Sequence, residues 1–377
     1  MRVLYFSRDY TTHDRRFLLK LAQSCHDVYF LRLEDDGIAY ETRVLPKSIR
    51  AVEWRGGRKP LKMPEDWLRL MPDFCSVLDC IKPDLVHAGP VQSCGFMTAL
   101  SGFHPFLLMS WGSDLLIDAH QNEFWRWMTK YALDRSDYLL CDCRAVKNQA
   151  KEIIHYPEGR ICQSSYGVDL AEFAPGRDRL RLKERLGWKN NFVVLSTRTW
   201  EPIYGVDVLL KAFKQAHAQN PKLRLILLGG GSRAGTFRDF IQKHDLKKAV
   251  FQPGMVSHEQ LPDYFKAADL YMSCSYSDGT SVSLLEATAT GLPVIVTDHA
   301  GNKEWLKPGK NGWLAQAGNS KEFAKLLLHA SRMTPAERSK MSWGNRQKAE
   351  KFANWDVNFS KLMDFYERIE TRFKKRK

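Results

Sequence analysis

Short apolar runs alternate with longer amphipathic segments along the whole chain, and this rhythm constrains the fold more than any other feature. In the first half the runs are RVLYFS, DVYFLRL, DLVHAG, PFLLMSW, DYLLCDC and RICQSSYGV, with helix-like stretches such as DRRFLLKLAQS and PEDWLRLMPDFCSVLDCI between them. A second set begins after the Pro, Gly and charged stretch at 174–179: FVVLSTR, LRLILLGG, AVFQPG, LYMSCSY, LPVIVTD and NGWLA. Such runs fit strands buried on both faces, in parallel sheets covered by helices. Two sheets of about six strands are therefore expected, joined near residue 175, in an α/β protein of two Rossmann-like, doubly wound domains. A length of 377 residues accommodates two such cores. The expected limits are 1–175 and 176–355. Residues 356–377 follow a break at 352–355 and form a helix whose apolar Val357, Phe359, Leu362, Met363, Phe365 and Tyr366 fold back onto the first domain.

No apolar run approaches the ~18–20 residues that span a bilayer. The opening MRVLYFSRDY reads as a first strand rather than a signal peptide, so a cytosolic location is expected, extending to the inner face of the cell membrane. The eight cysteines are scattered without a C-x-x-C pair, which points to buried free thiols rather than a metal site or disulfides. Net charge is +14, from 57 basic and 43 acidic residues. It concentrates in the terminal RFKKRK and in Arg43, Lys47, Arg50, Arg55, Arg58, Lys59 and Lys62, which face only Glu53 within 43–62. An anionic partner follows (nucleic acid, an anionic membrane surface or a phosphate-bearing substrate), against the alternative of a solvated basic face.

Residues 278–286 read Asp-Gly-Thr-Ser-Val-Ser-Leu-Leu-Glu. Gly279 permits a tight backbone, and the N–H groups of Thr280, Ser281 and Val282 open a helix whose positive end suits a phosphate. Glu286 lies about two turns into that helix, within reach of a polar ligand. A capped helix with a solvated glutamate explains the same residues. Gly229-Gly230-Gly231 follows a strand and precedes a helix, which favours close approach to a nucleotide or phosphate, with Arg233 nearby. NAD is disfavoured, because the next strand, AVFQPG, ends without the acid that would hold its ribose. Arg198 projects from a strand's carboxyl end, where it can grip a diphosphate; an ion pair with Glu201 is the alternative.

Taken in order, YGVDLAEFAP at 166–175, STRTWEPIYGVDVLLKAF at 196–213, LLGGGS at 227–232, FQPGMVSHEQLPDYFKAADLYMSCS at 251–275, DGTSVSLLEATATGLPVIVTDHAGNKEW from 278 and NGWLA resemble the family-4 retaining glycosyltransferases. The match covers the second half; in the first half DLVHAG and SWGSDLL correspond more loosely. The resemblance implies the GT-B fold, two Rossmann-like domains facing each other across a cleft. It implies a nucleotide-diphosphate sugar, UDP- or GDP-linked, as donor substrate rather than cofactor, and no metal. Glu286 would hold the donor ribose and Asp278 would lie near the sugar and its phosphates. Gly279, Thr280, Ser281, Val282 and Ser283, with Arg198, would hold the diphosphate. Gly230 and Gly231 would approach it, and Gly254 and Val256 would lie against the nucleobase. Three positions depart from the pattern: Asp278 for a glutamate, Tyr204 for a phosphate-binding lysine, and Trp111 for a histidine near the donor sugar. Asp14 and Arg15, after the first strand, are candidate substitutes for the missing contacts, as are His87 and Asp114.

The implied reaction transfers a sugar to a hydroxyl of a glycan or lipid-linked acceptor with the anomeric configuration kept. Backbone dipoles and Arg198 would stabilise the leaving diphosphate. Cell-envelope polysaccharide or glycolipid synthesis fits the basic charge. The rivals are a non-catalytic nucleotide-sugar binder, another enzyme of the same fold (an epimerase or a phosphorylase), and a basic nucleic-acid-binding protein, for which no reader module is present.

Overall fold

The computed structural model describes all residues except 36, 38–40, 58–60, 62–63, 177–178 and 375–377. Of the basic positions singled out above, Arg58, Lys59, Lys62 and the last three residues lie outside the described residues. The chain divides into two compact units, one of Met1–Ser164 with Phe359–Lys377 and one of Ser165–Asn358. The first division thus falls at residue 165 rather than near 175, because YGVDLAEFAP packs with the second unit: the Val168 amide donates to the Ala353 carbonyl and Phe173 is fully buried.

Among the described residues the N-terminal unit holds seven parallel strands: β1 (Arg2–Ser7), β2 (Asp27–Arg32), β3 (Arg50–Ala51), β4 (Leu85–Gly89), β5 (Phe106–Met109), β6 (Tyr138–Cys141) and β7 (Ile161–Gln163). Their order is β3-β2-β1-β4-β5-β6-β7. All but β3 coincide with the apolar runs. That strand is two exposed residues at the sheet edge, too short to leave a hydropathy signal. β4 through β6 are buried at every position, as expected where helices cover both faces.

The described residues of the second unit form six: β8 (Phe192–Ser196), β9 (Leu223–Leu228), β10 (Val250–Gly254), β11 (Leu270–Ser273), β12 (Val294–Thr297) and β13 (Gly312–Ala315). They are parallel, in the order β10-β9-β8-β11-β12-β13. From β8 the sheet grows one way through β9 and β10 and the other way from β11, so the winding reverses between β8 and β11. Open α/β sheets bind ligands at the carboxyl ends of the strands beside such a reversal.

The helix Pro335–Phe352 ends where the break was expected, and a last helix runs Trp355–Lys374. From Phe359 onward it belongs to the N-terminal unit, burying Phe359, Leu362, Phe365, Tyr366 and Ile369. Val357 is instead 53% exposed. The Tyr366 hydroxyl lies 2.6 Å from His87 Nδ1 of β4, which ties the helix to the sheet. All eight cysteines are free; five are buried, whereas Cys25 and Cys80 are exposed.

Candidate active site

Four loops of the second unit gather around Arg198, two residues beyond β8. Its guanidinium lies 2.8 Å from the Asp278 carboxylate and donates to Ser281 Oγ at 2.8 Å and Ser283 Oγ at 3.2 Å. The ion pair with Glu201 does not form. Glu201 instead accepts from the backbone amide of Ser232 at 2.6 Å and from its hydroxyl at 2.5 Å. Burial opposes the charge on Arg198, but Asp278, with the Tyr204 and Tyr271 hydroxyls, outweighs it and leaves the pKa raised. The group is cationic at every accessible pH.

The helix beyond Asp278 runs Val282–Ala289, so it opens two residues later than Thr280. The amides of Val282, Ser283 and Leu284 form its first turn. Ser281 is the N-cap residue, yet its side chain makes no capping bond, being engaged by Arg198. An uncapped N-terminus and a guanidinium thus converge on one spot, which calls for an anion. Asp278 supplies it in the free protein. Gly279, Thr280 and Ser281 are buried within this turn. Glu286 is only 5% exposed, so a solvated glutamate is ruled out. Below it, the Tyr271 hydroxyl donates to Ser283 Oγ at 2.8 Å and feels the charges of both Arg198 and Glu286.

The glycines serve the loops. A Cβ on Gly229 would lie 2.6 Å from the Arg198 carbonyl oxygen, and one on Gly231 would lie 2.9 Å from the backbone of Trp200. With φ at +118° and +151°, both positions favour glycine. The close approach is therefore to the segment that carries Arg198. Gly230 differs, since its nearest neighbour is the half-exposed Met255. Gly254 ends β10 with φ of +90° and open space around it, and Val256 is partly buried beyond. Tyr204 closes a short turn, and the Arg198 guanidinium lies 4.3 Å from the centre of its ring. The residue in the lysine's place therefore supports the arginine through its face.

Two residues that carry the site drew no role from sequence. A Cβ on Gly301 would lie 2.2 Å from the Gly279 carbonyl oxygen, so the helix Ala300–Trp305 seats the Asp278–Gly279 turn. His299 caps that helix, its pKa lowered by burial, within the fields of Asp278 and Arg198. The signal was a small residue pair, Ala300-Gly301, opening the helix that follows β12.

Candidates in the N-terminal unit fare differently. Asp14 is fully buried: it accepts from the Thr11 amide at 2.9 Å and the Tyr5 hydroxyl at 3.1 Å, closing a capping box on the helix Thr12–Leu21, and burial raises its pKa. Its carboxylate is thus engaged by the helix cap and the Tyr5 hydroxyl. Asp114 is likewise buried, accepting from the amides of Val91, Trp111 and Leu115 and from the Ser110 hydroxyl. His87 faces the core. Trp111 is half-buried, its ring 5.4 Å from His13. Arg15 is half-buried, and its Nε makes no hydrogen bond.

Residues 178–348 match the family described as "Glycosyl transferases group 1", and residues 2–143 match "Glycosyl transferase 4-like". The chain belongs to the family-4 glycosyltransferases. Among relatives, it is 28% identical over 232 residues to a D-inositol 3-phosphate glycosyltransferase of Streptomyces avermitilis, covering 58% of this chain and 49% of that protein. It is 26% identical over 219 residues to the amylovoran biosynthesis glycosyltransferase AmsK of Erwinia amylovora, covering 56% and 52%. The chain spans about half the length of the curated relatives it matches. Two solved structures share its fold, which is GT-B. The Anabaena HepE protein in complex with UDP-glucose gives a TM-score of 0.81 at 18% identity, covering 98% of this chain and all of that one. Sucrose-phosphate synthase of Thermosynechococcus elongatus gives 0.82 at 16%, covering 99% and 100%.

Proposed function

We propose that this glycosyltransferase moves a sugar from a nucleotide-diphosphate donor to a hydroxyl of a glycan or lipid-linked acceptor, with the anomeric configuration kept. The observation that carries the reading is the convergence of Arg198 on the uncapped start of the helix Val282–Ala289, beside Asp278. A diphosphate entering there displaces Asp278 from the guanidinium and takes its place. Charge that builds on the leaving β-phosphate meets donors already oriented, so little reorganisation accompanies the reaction. Glu286 accepts from the ribose hydroxyls, while Gly254 and Val256 border the base. The leaving phosphate takes the acceptor's proton, which makes a protein nucleophile unnecessary. Arg198 and the amides at the start of the helix Val282–Ala289 would let the reaction proceed without a divalent metal.

Of UDP- and GDP-linked donors the UDP-linked one is favoured, because the HepE structures are described in complex with UDP and UDP-glucose. Colanic acid and amylovoran biosynthesis in the names of relatives favours cell-envelope polysaccharide as the product. An acceptor of that class is held at an anionic membrane surface, and the N-terminal unit binds it. A thermal-shift screen of nucleotide sugars, followed by turnover with and without EDTA, tests the reading. One nucleotide sugar should raise the melting temperature and be turned over equally in EDTA. A protein stabilised by none would contradict it.

A further inference from the structure

The second unit holds a cavity at the edge of its sheet opposite Arg198. It lies beside the amino end of β12, between the helices Leu261–Ala267 and Pro335–Phe352 and the turn that ends the helix Val282–Ala289. Its volume is about 290 Å³, close to the ~300 Å³ at which pockets for small ligands begin. Pro175, Phe265, Leu292 and Pro335 give it an apolar wall.

The polar residues around that wall are cations and hydroxyls. Lys266 and Arg338 line the cavity, and no acid does among the described residues. Lys266 makes no ion pair or hydrogen bond among the described residues; its stem lies along the backbone at Gly176, where a Cβ would be 3.3 Å from Lys266 Cδ. Asp263, one turn earlier on the same helix, is exposed and unpaired with it. Arg338 reaches the Asp269 carboxylate at 3.4 Å, but Asp269 already accepts from Lys183 at 2.5 Å and from the Val193 amide at 2.8 Å. One carboxylate therefore serves two cations, and the buried Nε of Arg338 has no acceptor. Glu337 is committed to the cap at Thr334. The hydroxyls of Ser339 and Ser342, also on the wall, make no hydrogen bond among the described residues.

Two cations and two hydroxyls without acceptors suit the several oxygens of a phosphate group. The carboxyl end of the helix Val282–Ala289 would repel such an anion, but Arg346 covers it, donating to the Ala289 carbonyl at 3.0 Å.

We propose that this cavity binds a small phosphate monoester, with the phosphate against Lys266, Arg338, Ser339 and Ser342 and the carbon body against Leu292 and Pro335. The site is separate from that of the donor, which sits at the carboxyl ends of the strands, and it stands whether or not the donor assignment holds. Its ligand touches Thr290 and Gly291, the end of the same helix whose start faces Arg198.

Calorimetric titration of glycerol 3-phosphate into the full chain, with glycerol as control, tests it. The ester should bind saturably in the millimolar range or tighter, and glycerol should not. Lys266→Ala should weaken the ester about fivefold or more, a partly exposed charge counting for less than a buried one. Because Lys266 has no partner to lose, that variant should keep the wild-type melting temperature. Ser339→Glu, at an exposed position, should weaken binding as well by placing an acid on the wall. Arg198→Ala should leave the affinity unchanged. Binding lost in Arg198→Ala but kept in Lys266→Ala would put the anion at the donor site and overturn the proposal. So would an affinity that follows ionic strength and ignores all three substitutions, or a wild type that binds no ester.

Discussion

The Arg198 guanidinium and the Asp278 carboxylate meet at 2.8 Å where β8 and β11 part, with only 12% and 20% of their side chains exposed. An acid at this point both holds the arginine in place and occupies the position of an incoming phosphate. Removing its charge separates the two roles. With Asp278→Asn, a nucleoside diphosphate should bind severalfold tighter by calorimetry, whereas turnover of the intact nucleotide sugar falls. An affinity lost with the charge would show that Asp278 only positions the arginine.

Glu286 is buried two turns into the helix that opens at the phosphate site. Its loss removes hydrogen bonds to a charged acceptor, worth about 1.5–3 kcal/mol, so Glu286→Ala should weaken nucleotide affinity about 10- to 100-fold. The 2′-deoxynucleotide should already bind the wild type less tightly, and the variant should no longer tell the two apart. Retained discrimination would place the ribose elsewhere.

Asp14 gives the opposite expectation. Asp14→Ala removes a cap and the carboxylate to which the buried Tyr5 hydroxyl donates, at a cost of about 1–3 kcal/mol. The melting temperature should fall by several degrees while kcat of the folded fraction holds. A large drop in kcat without loss of stability would return Asp14 to the reaction.

His87 makes folding pH-dependent. Burial lowers its pKa from 6.5 to about 3, so the unfolded chain takes up the proton first on acidification. Its contribution is fully present above the unfolded value and is lost as pH falls from about 6.5 toward 3. Asp14 and Asp114, raised by burial, act in the reverse sense, so the comparison is between wild type and variant. His87→Gln should flatten the fall in melting temperature between pH 7 and pH 4 measured by calorimetry. An unchanged slope would assign the acid sensitivity to other groups.

The strands were legible because a parallel sheet buries both faces and leaves continuous apolar runs; edge strand β3, with two exposed residues, left none. Arg198, Ser281 and Ser283 were legible as loop and helix-start residues after strands, and they come together as that pattern requires. The partner of Arg198 was not, because Asp278 is eighty positions away and Glu201 only three. Asp14 misled for a related reason. A carboxylate three residues after a threonine is both a polar residue at a strand end and half of a capping box, and only burial separates the two. Gly301 acts through close approach to the Gly279 carbonyl, so the small pair Ala300-Gly301 marks a tight contact without naming the loop it meets.

The most direct test of the donor site is a calorimetric titration of UDP, GDP, ADP and dTDP into wild type and Arg198→Ala. One nucleotide should bind the wild type, and the variant should lose about 10²- to 10³-fold of that affinity, as when a charged donor is removed from a preorganised anion site. A variant that binds the same nucleotide as tightly as the wild type would contradict the assignment of Arg198 and Val282–Ala289 as the diphosphate site.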